Sequence, residues 1–212
     1  MSEIIDISPL LSERVAVWPG DTRFSRTVNV AFSGGGNIDL SHIQTSVHVG
    51  AHADAPNHYS AGGEGISTRP LIRYFGPCLV IRVQVDPGAR ILPSDLPADV
   101  RERVSIPQRV IFATGSFPDP DHFNEDFCSL SPELVEYLHG RGVLLVGIDT
   151  PSIDPCHDKS LHSHSAIAAR DMSILEGVVL EHVEPGDYIL VALPLKIEGA
   201  DASPVRAALI RE

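Results

Sequence analysis

Between Gly50 and Pro70, glycine and proline recur at Gly50, Pro56, Gly62, Gly63, Gly65 and Pro70. Proline removes a backbone donor and fixes φ, and glycine weakens regular structure, so no single helix or strand can run through this stretch. It is a long ordered loop, and loops of this kind commonly carry function. The segment feeding it, Ile38 to Val49, keeps Ile43, Val47 and Val49 on odd positions, the period of a strand.

Elsewhere the chain is read as short strands separated by turns. Ile4–Ile7, Arg14–Val17, residues 26–32, Cys78–Val83, Val110–Ala113, Val143–Ile148, Tyr188–Leu193 and Val205–Ile210 are expected as strands. The apolar run 143–148 is expected at the centre of a sheet. Residues 71–75 suit one helical turn. One helix is well marked: Ser131 as N-cap, Pro132 at the first position, Glu133 at the positive end of the dipole, and Gly140 as terminator. A second helix is expected from about Ser163 to Arg170. Regular strand–helix alternation is missing, which excludes a doubly wound fold. The expectation is a mixed α/β, sheet-rich single domain over residues 1–212 with few helices.

A chain of 212 residues buries roughly 70% of its unfolded surface and needs neither disulfide nor metal merely to fold. A metal is therefore expected in a catalytic role. The formal net charge of −12 repels nucleic-acid backbones and anionic membranes, so neither is an expected partner. Cys78, Cys128 and Cys156 are odd in number and widely spaced, with no CxxC, and so make no disulfide framework or thiolate zinc site. Without a basic N-terminal region followed by an apolar run, and without an apolar stretch of spanning length, the expected location is cytoplasmic.

The chemistry concentrates in His48-Val-Gly-Ala-His52-Ala-Asp54-Ala-Pro-Asn-His58. Imidazole and carboxylate are the donors that suit zinc, manganese or iron. His52 and Asp54, two apart, project to one side of an extended chain. Gly50 permits a bend that lets His48 join them, and Asp54 has two oxygens with which to bridge two ions. His58 is suited to move a proton near neutrality. A second cluster follows at His157, His162, His164 and Glu176. Glu176 ends the apolar run Ile174-Leu175, a local conflict of the kind that marks function. His164 is one candidate for its partner, with His157 and His162 as competitors. Trp18 lies in the turn Trp-Pro-Gly-Asp, where core packing and a flat face for an aromatic substrate are both open.

At these residues the chain resembles the cyclase-type metal hydrolases, whose signature is HxGTHxDxPxH. Ala51 replaces the threonine, a departure that touches no ligand. Similar segments run nearly end to end, among them Val17–Thr22, Tyr74–Cys78, Gly147–Pro155, Ile174–Gly177, Pro185–Tyr188, Leu193–Lys196 and Ala202–Arg206. Within that family the chain looks most like the arylformamidase branch. The resemblance implies a swivelling β/β/α architecture, a homodimer, and hydrolysis of an aryl formamide, N-formyl-L-kynurenine, in tryptophan degradation. It also implies two Zn2+ per subunit: one on His48, His52 and Asp54, the other on Asp54, His164 and Glu176. His164 is chosen because the family's ligand stands twelve residues before the glutamate. His58 matches the family's catalytic histidine and Trp18 a substrate-contacting residue. A related amidohydrolase acting on isatin, with Mn2+ in place of zinc, is the nearest alternative. A mononuclear iron oxygenase built on His52, Asp54 and a distant histidine is a further one, but it has no use for His48, His58 and Glu176 together.

Overall fold

The computed structural model describes residues 2–211. In chain order the strands are β1 (Glu3–Asp6), β2 (Ser25–Val30), β3 (Leu40–Gln44), β4 (His52–Asp54), β5 (Phe75–Arg82), β6 (Arg90–Ile91) and β7 (Arg109–Ala113). They continue with β8 (Ser129–Leu130), β9 (Leu145–Ile148), β10 (Ser173–Glu176), β11 (Gly186–Val191), β12 (Ala202–Pro204) and β13 (Ala208–Arg211). The helices are α1 (Pro56–Tyr59), α2 (Ala98–Glu102), α3 (Pro132–His139) and α4 (His162–Ala169).

A nine-stranded sheet runs β1-β13-β11-β5-β7-β9-β10-β4-β12. Its middle strands, β5 through β10, pair in parallel, and both flanks are antiparallel. The middle strands are apolar because both faces are covered. Alternate residues separate cleanly. Cys78, Val80, Ile111, Leu145 and Leu175 pack into the core on one face. Leu79, Ile81, Val110, Phe112, Val146 and Ile174 pack on the other, under Leu134, Val135 and Leu138 of α3 and Ile167 of α4. This is the mixed, sheet-rich architecture with few helices that the sequence predicts.

Helix α3 forms as expected: the Ser131 hydroxyl accepts from the Leu134 N–H at 3.0 Å and Gly140 closes the last turn. Two expectations need correction. Residues 14–17 form no strand; the Ala16 N–H bonds the Pro120 carbonyl at 2.9 Å, and Val15 packs with Phe24 and Val49 in a small cluster of their own. The alternation of Val15 and Val17 thus serves a local cluster and no ladder. The strand read up to Val49 ends at Gln44, because Val49 turns inward to that same cluster. The loop 50–70 is long and irregular, yet it contains β4, inserted between β10 and β12. Three residues are too few to show a period.

Candidate metal centre and active site

Register builds the site. In the β4–β10 pairing, His52 lies opposite Glu176, Ala53 opposite Leu175 and Asp54 opposite Ile174. Ala53 and Leu175 therefore face one core, while His52, Asp54 and Glu176 face the other side, toward α4. A slip of one residue would reverse every one of these directions. Helix α4 brings His164 over the same spot from its first turn. Gly50, at φ +57, turns the chain so that His48 joins.

The donor atoms converge on Asp54. Its Oδ1 lies 3.0 Å from His48 Nδ1 and 3.4 Å from His52 Nε2, and its Oδ2 lies 3.6 Å from His164 Nε2. Glu176 closes the ring, with Oε2 at 3.2 Å from His52 Nε2 and Oε1 at 3.8 Å from His164 Nε2. The atoms approach without bonding to one another: His52 Nε2 and both Asp54 oxygens are buried with no hydrogen-bond partner. Unpaired buried polar atoms are costly. Four nitrogen or oxygen donors about 2.0–2.1 Å from a tetrahedral ion stand roughly 3.3 Å apart, which is the spacing seen here. The donor set fits a bound cation.

Each inward-facing imidazole is held by its other nitrogen. His48 Nε2 meets Asp201 Oδ2 at 2.9 Å, His52 Nδ1 meets the Gly50 carbonyl at 2.8 Å, and His164 Nδ1 meets Asp154 Oδ2 at 2.8 Å. Such outer partners fix the tautomer and leave the inward nitrogen its lone pair when the ring is neutral. Glu176 Oε1 is oriented by the Ile153 N–H at 2.7 Å. Asp154 has a second role. It accepts from the backbone N–H groups of Ser163 and His164, capping α4, whose own N-cap residue, Leu161, supplies no side-chain acceptor. Arg90 anchors Asp154 at 2.7 Å.

The charges agree with this geometry. Burial works to lower the pKa of His48, but Asp54 and Asp201 outweigh it and raise it to about 9. Burial likewise opposes the charged form of His164, and Asp154 and Asp54 raise it to about 10. Asp54 is disfavoured as an anion by burial yet held well below the usual carboxylate range by His164 and His48. The nest is one of cationic imidazoles around a shared carboxylate, poised to exchange protons for a cation.

His48, His52, Asp54, His58, His164 and Glu176 all lie around this centre. Donor atoms of His48, Asp54 and His58 fall within 4.8 Å of one another, and so do those of His52, Asp54 and Glu176. Asp54 belongs to both groups. His58, on α1, has its ring 4.2 Å from that of His48 and its Nδ1 3.5 Å from Asp201 Oδ2. His157 and His162, the competitors of His164, are exposed, whereas His164 is buried. A cavity of about 510 Å3 opens over the cluster, lined by His48, His52, His58, His164 and Glu176 on its floor and by Trp18, Phe117 and Phe123 on its wall. Trp18 both packs against an aromatic neighbour and lines the cavity. Its ring meets Phe123 edge-on at 5.5 Å, and it remains 37% exposed on the cavity side.

Sequence reasoning passed over Asp154, Asp201, Phe117 and Phe123. Asp154 carried little local signal, since it stands in the polar, proline-rich run Asp149–Asp158. Asp201 carried none, because only the folded chain brings it beside His48.

A mixed sheet with a histidine–carboxylate cluster on one face and an aromatic-walled cavity above it defines a hydrolase of the cyclase type. The chain belongs to the Cyclase family, whose profile matches residues 5–155. It is 44% identical over 211 residues to the kynurenine formamidase of Bordetella petrii, covering 99% of this chain and 98% of that one. A solved structure from Bacillus stearothermophilus, described as a predicted metal-dependent hydrolase, superposes with a TM-score of 0.83 at 28% identity over the full length of both chains. Isatin hydrolase A from Labrenzia aggregata shares the fold with a TM-score of 0.83 at 21% identity, covering 99% of this chain and 93% of that one.

Proposed function

We propose that the chain hydrolyses N-formyl-L-kynurenine to L-kynurenine and formate as a step of tryptophan degradation. The observation that carries this is the convergence of His48, His52 and His164 on the unpartnered oxygens of Asp54, with Glu176 closing the ring through His52 and His164, beneath an aromatic wall. The 44% identity to kynurenine formamidases supports the choice of substrate.

Two divalent cations would be held here, zinc in this proposal and manganese as the alternative. His48, His52 and Asp54 would hold one, and Asp54, His164 and Glu176 the other, with Asp54 shared. When bound, such ions supply Lewis acidity toward a carbonyl and bring the pKa of water near neutrality. The protein does the rest. Trp18 and Phe123 hold the substrate ring against the cavity wall. His58, at the rim beside Asp201, accepts a proton from the attacking water and returns it to the aniline nitrogen as the C–N bond breaks. That return matters because an anilide anion is a poor leaving group.

We further infer a homodimer. Among the described residues the β2–β3 ribbon pairs only with itself, and with its connection it exposes Val28, Phe32, Ile38, Leu40 and Ile43. An isolated two-stranded ribbon is marginal in water, and a second copy of the chain would cover it. Among the described residues no helix is long and apolar enough to cross a membrane, in keeping with the proposed cytoplasmic location.

The test measures formate release from N-formyl-L-kynurenine, ring opening of isatin, and metal content on one preparation. Faster turnover of isatin would replace the substrate, and one iron per chain would replace the mechanism.

A further inference from the structure

Outside the cavity, a second set of donors gathers at the surface. His157 Nε2 lies 3.1 Å from Glu125 Oε2, and the Cys156 sulfur joins them, so that one atom from each residue falls within 4.8 Å of the others. The three come from two loops far apart in sequence, one between β7 and β8 and the other between β9 and α4. Among the cysteines, Cys78 and Cys128 are buried and Cys156 alone is partly accessible. Burial and the neighbouring Glu125 charge both hold its thiol in the neutral form, which a cation would reverse. Sulfur, imidazole and carboxylate together suit a borderline-soft divalent ion. This set differs from the inner cluster, which contains no sulfur.

Both loops reach the cavity. Glu125 follows Phe117 and Phe123, which wall it, and Cys156 and His157 follow Pro151 and Ser152, which line it. The second loop also carries Asp154, the partner of His164. We propose that Glu125, Cys156 and His157 form a separate surface site for a thiophilic divalent cation such as Zn2+, completed by water, which clasps the two loops of the cavity wall. On binding, the Cys156 S–H bond breaks, its proton leaves to solvent, and the sulfur electron pair goes to the ion. No oxidant or reductant takes part.

The test is titration of the purified enzyme, with its resident metals in place, using Co2+ and following the thiolate-to-cobalt absorption band. That band reports only a sulfur-ligated ion, so its outcome is independent of the formamidase proposal. One equivalent should produce the band in the native protein and none in Cys156→Ser. His157→Ala and Glu125→Ala should each weaken the site by roughly 10–100-fold, at least the loss seen when an outer partner of a metal ligand is removed. Added Zn2+ should also protect Cys156 from a thiol reagent in the native protein. All three residues are at the surface, so the variants fold. Absence of the band in the native protein, its persistence in Cys156→Ser, or unchanged affinity in both His157→Ala and Glu125→Ala would overturn the site.

Discussion

Asp154 holds His164 twice, accepting from its ring Nδ1 at 2.8 Å and from its main-chain N–H at 3.0 Å. One carboxylate thus fixes both the start of α4 and the direction in which its histidine points. Asp154→Ala should cost about 1–3 kcal/mol of stability, because buried donors lose their acceptor and Arg90 loses one of its two carboxylate partners. It should also weaken metal binding roughly 10–100-fold, the usual consequence of removing an outer partner. Thermal unfolding and metal titration check the two effects, and intact affinity would remove Asp154 from the site.

Asp201 presents the opposite balance. Its side chain is 47% exposed, so Asp201→Asn should leave thermal stability nearly unchanged. Yet its Oδ2 faces both His48 and His58. Turnover should fall roughly 10–100-fold, with kcat changing more than KM, because a substrate-binding wall is untouched while two imidazoles lose their orientation. An equal rise in KM at constant kcat would contradict this.

What was legible in the sequence divides along physical lines. Helix α3 was readable because its cap, its proline and its closing glycine are all local. The histidine loop was readable because its donors are dense in sequence. Strand β4 was hidden inside that loop, since its three residues take their conformation from β10 and β12 on either side. Val15 and Val17 misled in the opposite way, with a strand-like alternation that serves a small cluster. The pairing of His52 with Glu176 exists only as a register between strands more than a hundred residues apart, and no local pattern encodes it.

The raised pKa values make metal binding a proton exchange. His48 at about 9 and His164 at about 10 are both charged at neutral pH in the metal-free protein. Binding must discharge both rings, one at each ion, so about two protons should leave per chain near pH 7, and the affinity for each ion should rise roughly 10-fold per pH unit below about 9. Calorimetry in buffers of different ionisation enthalpy measures this release. The metal-free protein should behave in reverse. A raised folded-state pKa gives stability that is full below the ordinary histidine pKa of about 6.5 and lost as pH climbs through 9 to 10. Its Tm should fall across that window while metal affinity rises.

Trp18 bears on binding rather than on proton transfer. Trp18→Ala removes a ring that meets Phe123 edge-on and faces the cavity. Loss of one aromatic contact is worth about 0.5–1.5 kcal/mol beyond area burial, so KM should rise at least about 2- to 13-fold by that contribution. Trp18→Phe should recover part of it. A kcat collapse with unchanged KM would instead place Trp18 in the chemistry.

Gly177 follows Glu176 directly and adopts φ +66, and a Cβ there would lie 2.2 Å from the Gly50 carbonyl oxygen. That oxygen is the acceptor that orients His52 Nδ1. Gly177→Ala therefore carries two penalties: the left-handed backbone, about 1–2 kcal/mol for an L-residue, and a collision that pushes Gly50 away from His52. Gly142→Ala separates the two, because Gly142 has φ +84 with no atom within 4 Å of the added Cβ. Gly142→Ala should lose only the backbone increment and retain its full metal content. Gly177→Ala should lose more stability than Gly142→Ala and bind metal more weakly. Equal losses in the two variants, with metal retained in both, would show that the close approach of Gly177 to Gly50 does not hold His52 in place.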